Sequence, residues 1–335
     1  MKNVLLTGGA GFIGHALILE LLERTNYNIV CLDRLDSSGT CERIYSVIKR
    51  NKDYSKRLRF VFHDLKAPLN DYVQNKIGPV DYILHLAAGS HVDRSITHPL
   101  EFVMDNVVGT ANLLEYCRNL TVRPLFYYFS TDEVFGPAPE GVFYKEWDRY
   151  HSGNPYSASK AGAEELCLAF SNTYKMPMVI THTMNVYGER QHPEKYIPLC
   201  IKRVMSGEKI YIHADKECKN AGKRHYIHTS DVCDAVLFLM NKWEKKELAF
   251  CDKYNVVGSQ EVDNLQLAQM IAEYLDKDLN YQLVDFHSSS PGHDLRYSLC
   301  GEKMKKIGWE PKPLKETLRN TIDWYLNSQN KDWLF

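Results

Sequence analysis

Short apolar runs alternate with stretches of helical periodicity through the first half of the chain. Val4-Leu5-Leu6 centres a strand over residues 2–7, and residues 12–25 read as a helix. A second strand runs from Asn28 to Leu32 and ends at Asp33. Arg59-Phe60-Val61-Phe62 predicts a third, and Asp81 to Leu86 a fourth. Pro99 to Asn119 reads as one long helix. Leu125-Phe126-Tyr127-Tyr128-Phe129 predicts a buried fifth strand, and Met178-Val179-Ile180-Thr181 a sixth. Strands and helices alternating at this spacing imply an α/β fold, a Rossmann-type doubly wound parallel sheet.

After residue 184 the alternation breaks up. Asn185-Val186-Tyr187-Gly188 and Pro193 to Pro198 read as loops, and Leu199 to Ser206 as a helix. The lysine-rich stretch from Asp215 to Arg224 reads mostly as a solvated loop. Further helices are expected over 231–242, 265–275 and 314–326, the last turning Leu318, Ile322 and Tyr325 to a core. The pattern divides the chain into a dinucleotide-binding domain over 1–184 and a smaller irregular α/β lobe over 185–335, with some segments of the lobe returning to the first domain.

Composition narrows the class. A formal net charge of -1 gives no support for a nucleic-acid or anionic-membrane partner. Nine cysteines without a C-x-x-C pair argue against a disulfide framework or a metal site, and fit a reducing compartment. No apolar run approaches the roughly 20 residues of a membrane helix, and the opening residues carry no secretory pattern. A soluble cytoplasmic protein acting on a small molecule is the expectation.

The chemistry sits at the ends of the predicted strands. Gly8-Gly9-Ala10-Gly11-Phe12-Ile13-Gly14 follows the first strand and opens the first helix. Glycines there allow a tight turn and a close approach of backbone to pyrophosphate. Asp33, about 20 residues on, is placed to hold a ribose hydroxyl, and its charge favours NAD over NADP. Arg34 beside it has the opposite potential, since an arginine there can receive a 2′-phosphate. Asp64, after the third strand, is in reach of an adenine amino group or else caps a turn. Ala87-Ala88-Gly89-Ser90 offers small residues for the dinucleotide to lie against. Tyr156 and Lys160 are four apart on a predicted helix and share one face. An ammonium one turn from a phenol favours the phenolate, so the pair reads as a tuned base. Thr131, Asp132 and Glu133 leave the fifth strand where open α/β sheets place their ligand crevice. They add a hydroxyl and two carboxyl groups for proton transfer.

Ser130-Thr131-Asp132-Glu133-Val134-Phe135-Gly136 together with Tyr156-Ser157-Ala158-Ser159-Lys160 resembles the extended short-chain dehydrogenase/reductases, and among them the NDP-glucose 4,6-dehydratases. His85-Leu86-Ala87-Ala88, Ser90 to Ser95, Pro193-Glu194-Lys195 and Pro291-Gly292-His293-Asp294 extend the resemblance over nearly the whole chain. It implies a lyase that converts dTDP-glucose or UDP-glucose to the 4-keto-6-deoxy sugar and water in deoxysugar (rhamnose-type) biosynthesis, with NAD as a recycled hydride carrier. Tyr156 would deprotonate the 4-hydroxyl, Glu133 would take the C5 proton, and Asp132 would protonate the departing 6-hydroxyl. Thr131 would orient the phenolate and Lys160 hold the nicotinamide ribose. The implied cofactor contacts are Gly8, Gly11, Phe12, Ile13, Gly14, Asp33, Asp64, Leu65, Ala87, Ala88 and Asn106, with Tyr156 and Lys160. The implied nucleotide-sugar contacts are Ser90, Asn185, Lys195, Arg224, Asn264 and His293. A homodimer is implied through the helices over 99–119 and 155–175, which carry Leu100, Phe102, Val103, Leu166 and Phe170.

Three positions depart from the pattern. Ser290 replaces a usual arginine, with Lys219, Lys223 or Arg296 as candidate substitutes; His182 stands where arginine or asparagine is common; and 213–224 is longer than usual. Two competing readings are an NDP-sugar 4-epimerase, which has no use for the Asp132-Glu133 pair, and a non-catalytic NAD-binding sensor or scaffold, which has no use for Tyr156 and Lys160.

Overall fold

The structure, a computed structural model, describes residues 1–36, 38–285, 294–330, 333 and 334. Along the chain the elements begin β1 (Asn3–Thr7), α1 (Phe12–Arg24), β2 (Asn28–Asp33), α2 (Cys41–Arg50), α3 (Tyr54–Arg57) and β3 (Leu58–Phe62). There follow α4 (Asp71–Ile77), β4 (Tyr82–His85), α5 (Val92–Thr97), α6 (Pro99–Phe102), α7 (Gly109–Arg118), β5 (Leu125–Thr131), α8 (Pro155–Tyr174) and β6 (Met178–Thr183). The remainder comprises β7 (Asn185–Tyr187), α9 (Tyr196–Ser206), β8 (Ile210–Ala214), β9 (Lys223–His228), α10 (Thr229–Glu244) and β10 (Cys251–Val256). It closes with β11 (Glu261–Asp263), α11 (Asn264–Tyr274), β12 (Tyr281–Asp285), α12 (Glu302–Lys306) and α13 (Leu314–Leu326).

Two compact units emerge. The first comprises 1–134, 154–182 and 233–254; the second comprises 135–153, 183–232 and 255–335. Residues 135–153 therefore pack with the second unit, although sequence order alone puts them in the first half.

The first unit is built on the seven-stranded sheet, ordered β10-β6-β5-β4-β1-β2-β3. The pairings from β3 to β5 are parallel and in continuous register, with Leu5 opposite both Val30 and Ile83. Strands buried on both faces need apolar side chains at every position rather than alternate ones. That is why β5, LFYYFST, is buried from end to end. Helices α4, α7 and α8 close one face with Val73, Ile77, Leu113, Leu114, Ala163 and Cys167. The strand order reverses between β1 and β4, so the chain ends of these strands open a crevice where ligands settle in such sheets.

The run predicted as one helix over 99–119 is helical throughout but not uniformly so. Between α6 and α7, Val103–Val108 forms a π-helical turn that carries Asn106. Wider turns of this kind occur at functional sites because they redirect a side chain without ending the helix.

The second unit has its own core, in which Ile197, Ile201, Ile212, Leu267, Ile271, Leu318, Ile322 and Tyr325 meet. Its sheets are β11-β9-β7 and β12-β8. Here two expectations are corrected. Asn185–Tyr187 is a strand, not a loop, because β9 supplies parallel partners for its backbone. The helix expected from Leu199 begins three residues earlier, with Pro198 in its first turn, where a missing N–H costs nothing.

Candidate active site

The glycine loop shows why each residue is small. Gly8 has φ +72° and lies with its Cα against the backbone of residue 87; an added Cβ would stand 2.7 Å from Ala87 N. At Gly14 a Cβ would stand 2.1 Å from the Gly8 carbonyl oxygen. Helix α1 starts at Gly11 with no side-chain cap, so the N–H groups of its first turn, those of Phe12, Ile13 and Gly14, point outward as an anion cradle. Ala87 and Ala88 line the adjoining strand end and are half-buried.

Asp33 ends β2 and is buried. Its carboxylate accepts from Ala10 N and Leu35 N, both at 2.9 Å, which fixes it at the rim of the glycine loop. Arg34 is occupied elsewhere: its guanidinium grips Asp105 through two bonds of 2.6 and 2.8 Å and Asp36 through one of 2.9 Å. Asp64 stands 3.7 Å from it and 3.3 Å from Lys66. An arginine neutralised by three carboxylates is a poor receptor for a 2′-phosphate, so these residues fit NAD and not NADP. Leu65 is buried beside Gly109. Asn106 is buried and its amide is committed: Oδ1 accepts from Gly89 N, while Nδ2 donates to the Gly89 carbonyl and to Ser159 Oγ. It braces the β4 strand end against α8. Ser90 lies exposed just beyond.

Thr131 is the last residue of β5, and Asp132–Phe135 forms a single 3₁₀ turn. Thr131 Oγ1 donates to Asp132 Oδ1 at 3.1 Å and accepts from Glu133 N at 3.4 Å. Helix α8 starts opposite with an Asn-Pro-Tyr sequence. Asn154 caps it in a reciprocal capping box with Ser157, and Pro155 takes the first helical position. The Asn154 amide then donates to Glu133 Oε2 at 2.9 Å. One residue thus starts the helix that carries Tyr156 and orients Glu133. Sequence reasoning passed over Asn154, although an asparagine before proline at a helix start was a legible signal.

Tyr156 rests edge-on against Phe102, centroids 6.4 Å apart. Lys160 is buried, donates to the Phe129 carbonyl, and lies 4.3 Å over the Tyr128 ring. Burial, then the charges of Glu133 and Asp132, raise the Tyr156 phenol, and only the hydrogen bond with Thr131 pulls it down. The lysine is the group brought toward neutrality, lowered to about 8 by burial. His85, bonded to Thr7 and Thr110 hydroxyls, is held neutral at about 3 by burial and by the charge of Lys160.

The other expected contacts lie in the second unit. Lys195 is the N-cap residue of α9, whose first turn has no side-chain cap, and it is exposed. Arg224 donates through Nη1 to the Lys223 and Leu295 carbonyls and through Nη2 to that of Asp294. Its guanidinium stacks 4.6 Å over Tyr297. Among the described residues these bonds engage Nη1 and one Nη2–H, leaving Nε–H and the other Nη2–H as donors. Asn264 opens α11, with Oδ1 accepting from Tyr226. Asn185 is exposed on β7. His293 and Ser290 lie outside the described residues. Arg296 does not replace the arginine missing at 290: it is buried, paired to Glu261 at 2.7 Å, and bonded to the Pro139 and Val142 carbonyls. Lys223 is paired with exposed Glu140 at 3.1 Å, a bond easily exchanged.

The family model described as GDP-mannose 4,6 dehydratase matches residues 5–321. The chain is 34% identical to the dTDP-glucose 4,6-dehydratase of Escherichia coli, over 99% of this chain and 95% of that one. It is 35% identical to a trifunctional UDP-glucose 4,6-dehydratase, epimerase and reductase of Arabidopsis thaliana, over 99% of this chain and 48% of that one. Among solved structures, the dTDP-glucose 4,6-dehydratase DesIV of Streptomyces venezuelae, with NAD bound, superimposes with a TM-score of 0.85 at 32% identity, covering 99% and 98% of the two chains. A UDP-glucose 4-epimerase of Thermus thermophilus, in complex with NAD, gives a TM-score of 0.85 at 27% identity, covering 98% and 100%.

Proposed function

Since the chain belongs to the GDP-mannose 4,6-dehydratase family of extended short-chain dehydrogenase/reductases, we propose that it is an NAD-dependent hydro-lyase converting dTDP-glucose or UDP-glucose to the 4-keto-6-deoxy sugar and water. The observation that carries the reading is the placement of two carboxyl groups, Asp132 and Glu133, directly after the strand end beside Tyr156. NAD+, when bound, supplies the acceptor for the C4 hydride and returns that hydride to C6. Gly8, Gly11, Phe12, Ile13 and Gly14 would hold its pyrophosphate, Asp33 a ribose, and Ala87 and Ala88 its flank.

Tyr156 takes the proton of the 4-hydroxyl as C4 is oxidised, with Thr131 fixing its Oη and Lys160 holding the nicotinamide ribose. The 4-ketone acidifies C5–H, and Glu133, aimed by Asn154, removes that proton. Asp132, protonated, donates to the departing 6-hydroxyl. Adjacent carboxyl groups hold different protonation states because the first charge raises the other's pKa. Protonating Asp132 also removes one of the charges that keep the proton on Tyr156. The acid form needed for elimination therefore favours the tyrosine as base. Ser90, Asn185, Lys195, Arg224, Asn264 and His293 would bind the nucleoside diphosphate and sugar.

We also propose a cytoplasmic homodimer. Nine free thiols fit a reducing compartment. Leu100, Val103 and Met104 form an exposed apolar group on the first of the helices expected to pair. Phe102, expected on that face, is instead buried against Gly89 and Tyr156. The function is tested by mass spectrometry of products from dTDP-glucose and UDP-glucose in parallel. A product one water lighter supports it and identifies the base; unchanged mass from both overturns it.

A further inference from the structure

Beneath the strand end that carries Thr131 lies a buried charge cluster that the chemistry above does not use. Glu164 Oε1 is 3.1 Å from His182 Nε2 and 3.0 Å from Lys253 Nζ, and the three side chains are at most 4% exposed. They come from α8, β6 and β10, so the cluster ties the helix to the two strands at the edge of the sheet beyond β5. Buried ion clusters are costly to desolvate and contribute little stability compared with apolar packing. Their retention calls for another role.

Helix geometry points to it. Tyr156, Lys160 and Glu164 follow one another at four-residue intervals, so one face of α8 bears phenol, ammonium and carboxylate a turn apart. The Lys160 ammonium donates to the Phe129 carbonyl, and its other near neighbours carry no full charge. From its own helix it faces Tyr156 and Cys167; from β5, the Tyr128 ring; and from β4, His85, which is held neutral. Glu164 is the neighbouring carboxylate, with His182 and Lys253 fixing its position from β6 and β10.

We propose that Glu164, clamped by His182 and Lys253, is a positioning residue for the reaction: it is the countercharge that keeps the buried Lys160 an ammonium in place beside Tyr156 and the cofactor ribose. This rests on the assignment of Tyr156 and Lys160 as the catalytic pair. The direction agrees with the electrostatics: burial lowers Lys160, and Cys167 and then Glu164 raise it, while Glu164 itself is kept ionised by His182 and Lys253 against the opposing effect of burial.

The test is a titration of Lys160 itself. Protein labelled with carbon-13 at the lysine Cε, with the signal assigned by Lys160→Met, is followed by NMR against pH in the wild type, Glu164→Gln, Glu164→Gln/Lys253→Met and Glu164→Asp. The double variant leaves no unpaired charge on β10 and protects against loss of folding. Neutralising Glu164 should lower the Lys160 midpoint by about one pH unit in both Gln variants, and the alkaline limb of kcat should move down with it. Glu164→Asp should stay near the wild type. An unmoved Lys160 midpoint in a folded Gln variant overturns the proposal. So does failure of both Gln variants to fold, which would assign the cluster to folding alone. If the wild type has no dehydratase activity, the assigned function fails, while the Cε titration still decides whether Glu164 charges Lys160.

Discussion

Replacing Asn154 separates two jobs that one amide performs. In Asn154→Ala the cap of α8 is lost, and with it the donor to Glu133 Oε2 at 2.9 Å. Cap loss costs about 1 kcal/mol, which for a chain of this size lowers Tm by roughly 2–4 °C. A hydrogen bond to a carboxylate contributes about 1.5–3 kcal/mol. If that bond acts mainly to aim Glu133 at C5, its loss lowers kcat on the order of 10- to 100-fold. Asn154→Asp keeps the cap, since aspartate serves there as well as asparagine, but removes the donor and sets a second charge against Glu133. Like charge raises the Glu133 pKa, so a larger share of the base is protonated and the acid limb of kcat moves to higher pH. The assay pairs thermal unfolding with initial rates of 4-keto sugar formation across pH. The expected result is a lowered Tm only in Asn154→Ala and a lowered kcat in both. Full kcat with an unmoved acid limb in Asn154→Asp would refute the role given to this bond.

Asp105→Asn, by releasing Arg34 from its bidentate partner, should narrow the preference for NAD over NADP by about fivefold, or roughly 1 kcal/mol; equilibrium binding of both cofactors checks it. Turnover should fall as pH rises through about 8, because burial lowers Lys160 to that value and its ammonium is lost above it; a pH–rate profile flat to pH 10 would contradict this. Light scattering at micromolar concentration should give twice the mass of one chain. Glu133→Gln and Asp132→Asn should each lose dehydration by about 10²–10⁴-fold while still binding NAD, with hydride reaching the cofactor and not leaving it in single-turnover absorbance.

The parallel sheet was legible because its strands are apolar throughout and its helices amphipathic. The strand that escaped, β10, shows the limit. Cys251-Asp252-Lys253-Tyr254-Asn255-Val256 buries Lys253 and Asn255, whose polar groups are satisfied by Glu164 in one case and by the Tyr144 and Cys300 carbonyls in the other. Partners far apart in sequence turned a polar hexapeptide into a core strand. The same effect hid β7, and hid the fate of Arg34 and Arg296: residue type names a cation, but only the fold shows which carboxylates neutralise it. The residues around Tyr156 were legible because their spacing is local. Its electrostatic surroundings were not, because burial and the charge of Glu133 beside it come from the fold.

The central claim is that Asp132 and Glu133 eliminate water across C5 and C6. It is tested most directly by turning over NDP-glucose in deuterium oxide and reading the product by NMR and mass spectrometry. The account predicts a 4-keto-6-deoxy sugar that has lost one water and carries deuterium at C5, since that proton leaves on Glu133 and is replaced from solvent. NDP-galactose of unchanged mass, with no deuterium at C5, would contradict it.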